Sequence, residues 1–319
     1  MSRLLEGSPQ ARTNVASPPP VSEALPGFSA AYGEVFQRHY NRESFLFAHD
    51  LRQNPLFELP ELLRLSQRQP QDGSYAFWSN GEVGVDDRWD ASRGARHSLP
   101  ETIANIEANN SLAMLKHVER DSLLGPVIRG IMDTVVSLAG PKMRDDVIRG
   151  RGTVLIASPQ RVTSYHIDSD VNFLFQIHGD KSFRVYDQND RTLLTHEELE
   201  RYYSGDPNGA VFKPHRRDDC HTYDLRAGHG VHVPCMGAHW AQNGATPSVA
   251  LSINFDLRSI TRLARIYRFN GGLRRQGWAP MPPELSMWRD RLKLAALTCI
   301  DKARRIGKRQ GGGSPTFNA

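Results

Sequence analysis

The pattern in this 319-residue chain that is best suited to chemistry is the His-x-Asp motif of His166 and Asp168, at the end of a predicted strand. Residues i and i+2 of a strand point to the same side, so the imidazole and the carboxylate can bind one ion together. A second histidine from a neighbouring strand would complete a two-histidine, one-carboxylate triad, which can hold Fe(II) and leave three of its positions open for a cosubstrate and dioxygen. Eight of the twelve histidines lie between residues 166 and 239. The candidates for the second position are His229, His232 and His239.

Short strands between residues 152 and 257 would position these side chains, because β-branched and aromatic residues are frequent there. The pattern predicts a β-sandwich or barrel. An insertion interrupts it: residues 195–198 form a capping-box sequence, and residues 204–220 are predicted to form a long loop. The predicted strands are 153–157, 171–177, 183–186, 230–233 and 249–255.

Helical periodicity predominates on both sides of this β-rich segment. Ser98 to Glu101 form a second capping box, and an apolar series between residues 123 and 138 predicts a helix that ends at Gly140 and Pro141. A last helix has one apolar face, formed by Leu285, Trp288, Leu292, Ala295, Cys299, Ala303 and Ile306.

Four segments are therefore predicted. Residues 1–25 are rich in Ser, Pro and Ala and are expected to be a disordered leader. Residues 26–150 form a mainly helical N-terminal region packed on the core, and residues 151–258 form the β core itself. Residues 259–319 are a helical, basic C-terminal extension with a disordered end.

Composition narrows the class of protein. The chain is 39% hydrophobic and 24% charged, which is typical of a globular protein and excludes a disordered or fibrous one. Residues 257–319 carry 14 basic and 3 acidic side chains, or +11, so the rest of the chain carries −6 within the total of +5. Three cysteines without Cys-x-x-Cys spacing favour a reducing cytoplasm, and no stretch of about 20 apolar residues predicts a membrane span.

Between residues 153 and 256 the sequence resembles the JmjC or cupin-like family of Fe(II)/2-oxoglutarate-dependent oxygenases, and within it the asparaginyl hydroxylase acting on hypoxia-inducible factor. The resemblance rests on two motifs. The first is His166-x-Asp168-x-x-x-Asn172-Phe173-x-x-Gln176-Ile177-x-Gly179-x-Lys181, and the second runs from Gly228 to His239. It implies a double-stranded β-helix, also called a jelly roll or cupin fold, with flanking helices. It also implies that His239 is the second histidine ligand.

The same resemblance implies a site for the cosubstrate 2-oxoglutarate. Lys181 stands where the family binds the distal carboxylate, Thr163 where a hydroxyl assists it, and Asn254 where an amide lies near the metal-bound end; Asn172 is also assigned to this site. Charge supports the assignment independently. Fe(II) with one aspartate has a net charge of +1, and Lys181 raises it to +2, which matches the dianion.

Two positions depart from the family pattern. His229 replaces an acidic residue of the second motif, and Gly237-Ala238 replaces a bulky pair before the distal histidine. Both changes could alter the mouth of the pocket. The segment 187–221 matches poorly and is expected to carry substrate specificity. His229 and His232 are also candidates for the group that partners the other nitrogen of a ligand histidine.

The sequence thus predicts a 2-oxoglutarate-dependent dioxygenase that hydroxylates an unactivated C–H bond of a peptide or protein side chain. One alternative is a small metabolite or carrier-bound amino acid as substrate, and another is a non-enzymatic cupin-like metal-binding or regulatory module. The basic C-terminal helix could contact phosphates, but no aromatic stacking run accompanies it. We therefore expect a homodimer through C-terminal helices, as the resemblance implies, rather than binding to nucleic acid.

Overall fold

The computed structural model describes residues 24–25, 28–29, 32–70, 73–89 and 97–310, with the side chains of residues 301 and 303–310 excepted. The predicted disordered end, residues 311–319, and all but the last two residues of the predicted leader lie outside this range. The strands are β1 Ala24–Leu25, β2 Phe28–Ser29, β3 Phe45–Ala48, β4 Ala76–Asn80, β5 Ser111–Lys116, β6 Val147–Ala157, β7 Val162–His166, β8 Val171–His178, β9 Lys181–Tyr186, β10 Cys220–Leu225, β11 His229–Val233, β12 His239–Asn243 and β13 Ser248–Leu257. The helices are α1 Gly33–His39, α2 Leu59–Arg68, α3 Leu99–Ala104, α4 Gly125–Ala139, α5 Pro141–Asp146, α6 His196–Tyr203, α7 Arg258–Arg274 and α8 Met287–Gln310.

The β core consists of two antiparallel sheets. The smaller sheet has the strand order β10-β9-β12-β7, and the larger has the order β3-β11-β8-β13-β6-β5-β4. From β6 to β13 the chain passes back and forth between the two sheets, with β9 and β10 paired as neighbours in the smaller one. This strand order is that of a double-stranded β-helix, so the predicted fold class is confirmed.

Apolar residues fill both faces of the larger sheet. Leu174 and Ala250 meet Phe183 and Ala241 of the smaller sheet in one buried cluster between the sheets. On the outer face, Phe173 stacks on Phe36 of α1 with 5.4 Å between the ring centroids. Strand β8 is buried on both faces, which explains its nearly continuous apolar sequence.

The helix predicted from the apolar series is α4. Ile128, Ile131 and Val135 are buried at the expected spacing, and the helix stops at Gly140, whose φ of 79° suits glycine. Both predicted capping boxes are present, at the first residues of α3 and α6.

The N-terminal region adds strands that the sequence did not predict. Strand β3 pairs with β11 at one edge of the larger sheet, and β5 pairs with β6 towards the other edge, with β4 outside it. None of the helices in the described part of the chain is both long and apolar enough to span a membrane.

Candidate metal centre

Three side chains from the smaller sheet and the loop after it converge at one end of the barrel. His166 ends β7 and His239 begins β12, and the two residues are register partners in the antiparallel pair. Asp168 follows two residues after His166. One donor atom from each of the three side chains lies within 4.8 Å of the others, and Nε2 of His239 is 3.7 Å from Oδ2 of Asp168. This donor set matches the two-histidine, one-carboxylate sites that hold Fe(II).

Backbone carbonyls fix the tautomer of both imidazoles. Nδ1 of His166 donates to the carbonyl of Ser164 at 2.7 Å, and Nδ1 of His239 donates to the carbonyl of Gly237 at 2.8 Å. Nε2 of each ring is left as the metal-facing nitrogen. Burial, with the nearby His166, lowers the pKa of His239 to about 4, so the ring is neutral at pH 7, as a metal ligand must be.

The other two candidate histidines lie elsewhere. His232 is fully buried on β11, where Nε2 accepts from the backbone N–H of Asn41 and Nδ1 donates to the carbonyl of Asn172. His229 begins the same strand, and its Nδ1 lies 3.4 Å from the backbone nitrogen of Arg226. Since the backbone carbonyls of Ser164 and Gly237 already bind Nδ1 of the two ligand rings, neither of these candidates is the partner of a ligand ring.

All seven residues predicted for the metal or the cosubstrate line one cavity of about 150 Å³ between the two sheets. They are His166, Asp168, His239, Lys181, Thr163, Asn172 and Asn254. Thr163 and Asn254 are more than 90 residues apart in the chain, and the strand order of the barrel brings them together.

Lys181 is a buried cation of the cavity without a counter-charge. Lys181 is the first residue of β9 and is 8% exposed. Within the described part of the chain, its ammonium makes no ion pair or hydrogen bond. Burial lowers the pKa of Lys181 to about 8. A charge left in this state is costly unless a ligand supplies the opposite charge.

The larger sheet contributes a chain of hydrogen bonds to the same cavity. Nδ2 of Asn172 donates to Oγ of Ser252 at 2.8 Å, and that hydroxyl donates to Oδ1 of Asn254 at 2.7 Å. Nδ2 of Asn254 then donates to Asp170, whose other oxygen accepts from Arg151 at 2.6 Å. Asp170 therefore has a cationic partner, unlike Lys181. Oδ1 of Asn172 is buried without a partner among the described residues, so the cavity is incomplete without a ligand.

Aromatic rings pack on both ligand histidines. Phe183 lies against His239 with 5.4 Å between centroids, and Trp89 lies against His166 with 4.6 Å between centroids. Trp89 comes from the N-terminal region and lines the cavity. The sequence gives no signal for this residue, since nothing near it in the chain distinguishes it from an ordinary surface tryptophan.

No family model matches this sequence, and no curated protein matches it. Among solved structures, the chain is similar to YcfD of Escherichia coli, at 12% identity and a TM-score of 0.49 over 85% of this chain and 67% of that one. It is also similar to the structure of that ribosomal oxygenase in complex with cobalt and 2-oxoglutarate, at 12% identity and a TM-score of 0.47 over 86% and 67%. An oxalate decarboxylase of Lactobacillus farciminis matches 33% of this chain and 23% of its own, at 14% identity and a TM-score of 0.23. Because these sequence identities and TM-scores are low, the function must be inferred from the site itself.

The insertion between β9 and β10 lies beside the metal centre. Its helix α6 carries Glu198, which is buried and accepts hydrogen bonds from the backbone N–H of Val211 and from Nζ of Lys213, both at 3.0 Å. Further along, Oδ1 of Asn208 accepts from the backbone N–H of Trp89 at 2.7 Å. The segment that matched the family poorly is thus attached to the wall of the site.

Proposed function

We propose that this chain is an Fe(II)- and 2-oxoglutarate-dependent oxygenase that hydroxylates a C–H bond in a peptide or protein side chain. The observation that carries this proposal is the coexistence, in one cavity, of the triad and of a buried ammonium without a counter-charge. Fe(II) with Asp168 contributes +1 and Lys181 contributes +1, so a dianionic keto acid would neutralise the cavity.

Each residue has a defined task in this proposal. His166, Asp168 and His239 would hold the metal, and Lys181 would bind the distal carboxylate of 2-oxoglutarate through a charge-assisted hydrogen bond. Thr163, which lines the cavity from β7, would assist Lys181. Asn254 and Asn172 lie on the opposite sheet and would face the ligand there, with their amides oriented by Ser252 and Asp170.

When bound, the metal and the keto acid supply the oxidation: dioxygen is used to decarboxylate 2-oxoglutarate to succinate and to hydroxylate the substrate. No separate acid or base is then required of the protein. Its residues orient the two ligands and exclude water, and the packing of Phe183 and Leu174 closes the cavity on the barrel side.

The size of the cavity favours a substrate that approaches from outside. About 150 Å³ is well below the roughly 300–1,000 Å³ of pockets that enclose drug-sized ligands, so the keto acid would fill it. The reactive group of the substrate must then enter from the mouth, beside the insertion. An extended peptide can present one side chain in this way, whereas a small metabolite or a carrier-bound amino acid remains the alternative substrate.

The test is release of succinate from 2-oxoglutarate by the purified chain with added Fe(II), without any other substrate. We expect slow turnover that is lost in His239→Ala and in Lys181→Met and kept in His221→Ala, which replaces an exposed histidine of β10. A cupin-like binding or regulatory module would release none, and this outcome would reject the oxygenase proposal. Mass spectrometry of a cell extract treated with the iron-loaded protein would then identify the substrate by one added oxygen atom.

We also propose that the chain is a cytoplasmic homodimer that pairs through its C-terminal helices. The apolar face predicted for α8 is exposed, since Leu285 before the helix is 71% exposed and Trp288 and Leu292 are 61% and 59% exposed. A face of this kind on a soluble helix commonly marks an interaction site. Cys220, Cys235 and Cys299 are free thiols, which suits a reducing compartment.

A further inference from the structure

The ring of Trp89 is stacked on the metal-ligand ring of His166. The two ring centroids are 4.6 Å apart and the planes are inclined by 27°. Phe183 packs in a similar way on His239, with 5.4 Å between the ring centroids and 25° between the ring planes. Each ligand imidazole therefore has an aromatic ring against one face and a carbonyl on Nδ1, which leaves Nε2 directed at the metal position.

The two ligands differ in how much support their own sheet gives them. His239 lies on β12, between two neighbouring strands, and is 4% exposed. His166 ends β7, the edge strand of the smaller sheet, and is only partly buried. Since no further strand of this sheet covers β7 in the described part of the chain, the support of His166 on that side must come from outside the barrel.

The segment that leads to Trp89 supplies this support. The carbonyl of Val85 accepts from the backbone N–H of Tyr165 at 2.8 Å, so the segment lies along the free edge of β7. Four residues later, the backbone N–H of Trp89 donates to Oδ1 of Asn208 at 2.7 Å. Trp89 is thus held between the edge strand and the insertion, with its ring on the ligand.

We propose that Trp89 is a positioning residue of the metal centre: its indole holds the imidazole of His166 in place for coordination, and Asn208 anchors the backbone from which the indole extends. Metal affinity then depends on the insertion, although no residue of the insertion belongs to the ligand triad. The proposal rests on the proposed function in one respect, since it requires that the triad bind a metal ion.

The experiment is titration of the full-length, metal-free protein with Co(II), followed by the visible absorption of the bound ion and by tryptophan fluorescence. In the wild-type protein we expect Co(II) to quench part of the emission, because one indole lies directly on a ligand. Trp89→Ala should weaken Co(II) binding by about tenfold or more, as is usual when a ligand histidine loses an outer partner. Asn208→Ala should weaken it about two- to tenfold, which corresponds to one hydrogen bond.

Two variants separate positioning from general destabilisation. Trp89→Phe keeps an aromatic ring, so it should retain most of the affinity while losing the Co(II)-dependent quenching. Trp278→Phe replaces an exposed tryptophan and should leave both quantities unchanged. Equal affinity and an equal absorption spectrum in the wild-type protein and Trp89→Ala would overturn this proposal while leaving the metal centre intact. Failure of the wild-type protein to bind Co(II) would overturn both proposals.

Discussion

At the scale of single residues, Lys181 carries the clearest mark of a ligand site. Its pKa of about 8, compared with an ordinary value near 10.4, means that the folded protein disfavours the charged form. The shift corresponds to about 3 kcal/mol of lost stability at pH 7 in the absence of an anion. A residue that weakens the fold in this way is retained where function needs it.

Lys181→Met should therefore stabilise the ligand-free protein and weaken its binding of 2-oxoglutarate. We expect the free energy of unfolding in urea to rise by about 1–3 kcal/mol at pH 7, because a buried unpaired charge is replaced by an apolar side chain of similar length. Calorimetric titration with 2-oxoglutarate in the presence of Mn(II) should show at least a tenfold loss of affinity. A less stable variant that binds 2-oxoglutarate normally would remove Lys181 from the site.

The same residue predicts how the affinity for 2-oxoglutarate depends on pH. Lys181 is cationic below its pKa of about 8 and neutral above it, so binding of the dianion should weaken as the pH rises from 7 to 9. Lys181→Arg keeps its charge throughout this range and should give a flatter profile, whatever its affinity at pH 7. Dissociation constants measured at pH 7, 8 and 9 check this, and identical slopes for the two proteins would contradict it.

At the scale of elements, the insertion depends on one buried carboxylate. Glu198 of α6 accepts from Val211 and Lys213 and, with its other oxygen, from the backbone N–H of Thr195 at 2.7 Å. Glu198→Gln places a donor where three donors already point, so at least one is left unpaired at a cost of about 1–3 kcal/mol.

This loss should appear locally, as faster amide hydrogen exchange in residues 204–219, because the bonds to Glu198 hold that loop against α6. Glu197→Gln is the matched control, since Glu197 lies on the exposed side of the same helix and pairs at the surface with Arg274 at 3.2 Å. Equal exchange in the two variants would show that Glu198 does not hold the loop.

The sequence predicted the elements whose patterns are local. Strand β8 is a continuous apolar run, α4 has an apolar stripe, and the capping boxes mark the start of α3 and α6. The order of the metal motifs also suggested which residues meet. Strand β10 was missed because Cys220–Leu225 is polar and half-exposed, so it lacks the apolar residues that indicate a buried strand.

The contacts between distant segments could not be predicted. Trp89 reaches His166 across more than 70 residues. His232 stayed a candidate beside His239 because a buried histidine in the core and one at a metal site look alike in sequence. The short strands β3–β5 are stabilised by pairing with the barrel rather than by their own composition.

At the scale of the whole molecule, buried neutral histidines should set its tolerance of acid. Burial lowers the pKa of His49 to about 4 and that of His232 to about 3, compared with about 6.5 in the unfolded chain. The unfolded state binds these protons first as the pH falls below 6.5, so stability is complete above that pH and declines below it, by up to about 1.4 kcal/mol per pH unit for each histidine.

His232→Gln removes one of these groups. The variant should be less stable at pH 7.5, because it loses a buried hydrogen bond. Its free energy of unfolding should also fall less steeply towards pH 5, because unfolding of the variant takes up about one proton fewer. Urea unfolding of the metal-free proteins at both pH values measures this. The same dependence on pH in both proteins would mean that His232 does not stay neutral in the fold.

The predicted dimer can be tested on the exposed face that includes Trp288 and Leu292. A chain that ends at Pro282, which lacks α8, should be a monomer by light scattering where the full chain is a dimer. Leu292→Asp should have the same effect without truncation, since it places a charge on the apolar face. A full-length chain that is monomeric at all concentrations would contradict the prediction.

Both ligand rings are hydrogen-bonded to backbone carbonyls two residues before them in the chain, and this has a practical consequence. Because neither these bonds nor the strand pairing uses Nε2, the nitrogen that faces the metal position, we expect the barrel to fold before it binds a metal, unlike a zinc finger. A chelator should remove a bound metal and leave the circular dichroism spectrum unchanged. If the proposed function holds, the amount of active protein would then follow the supply of iron rather than the supply of folded chain.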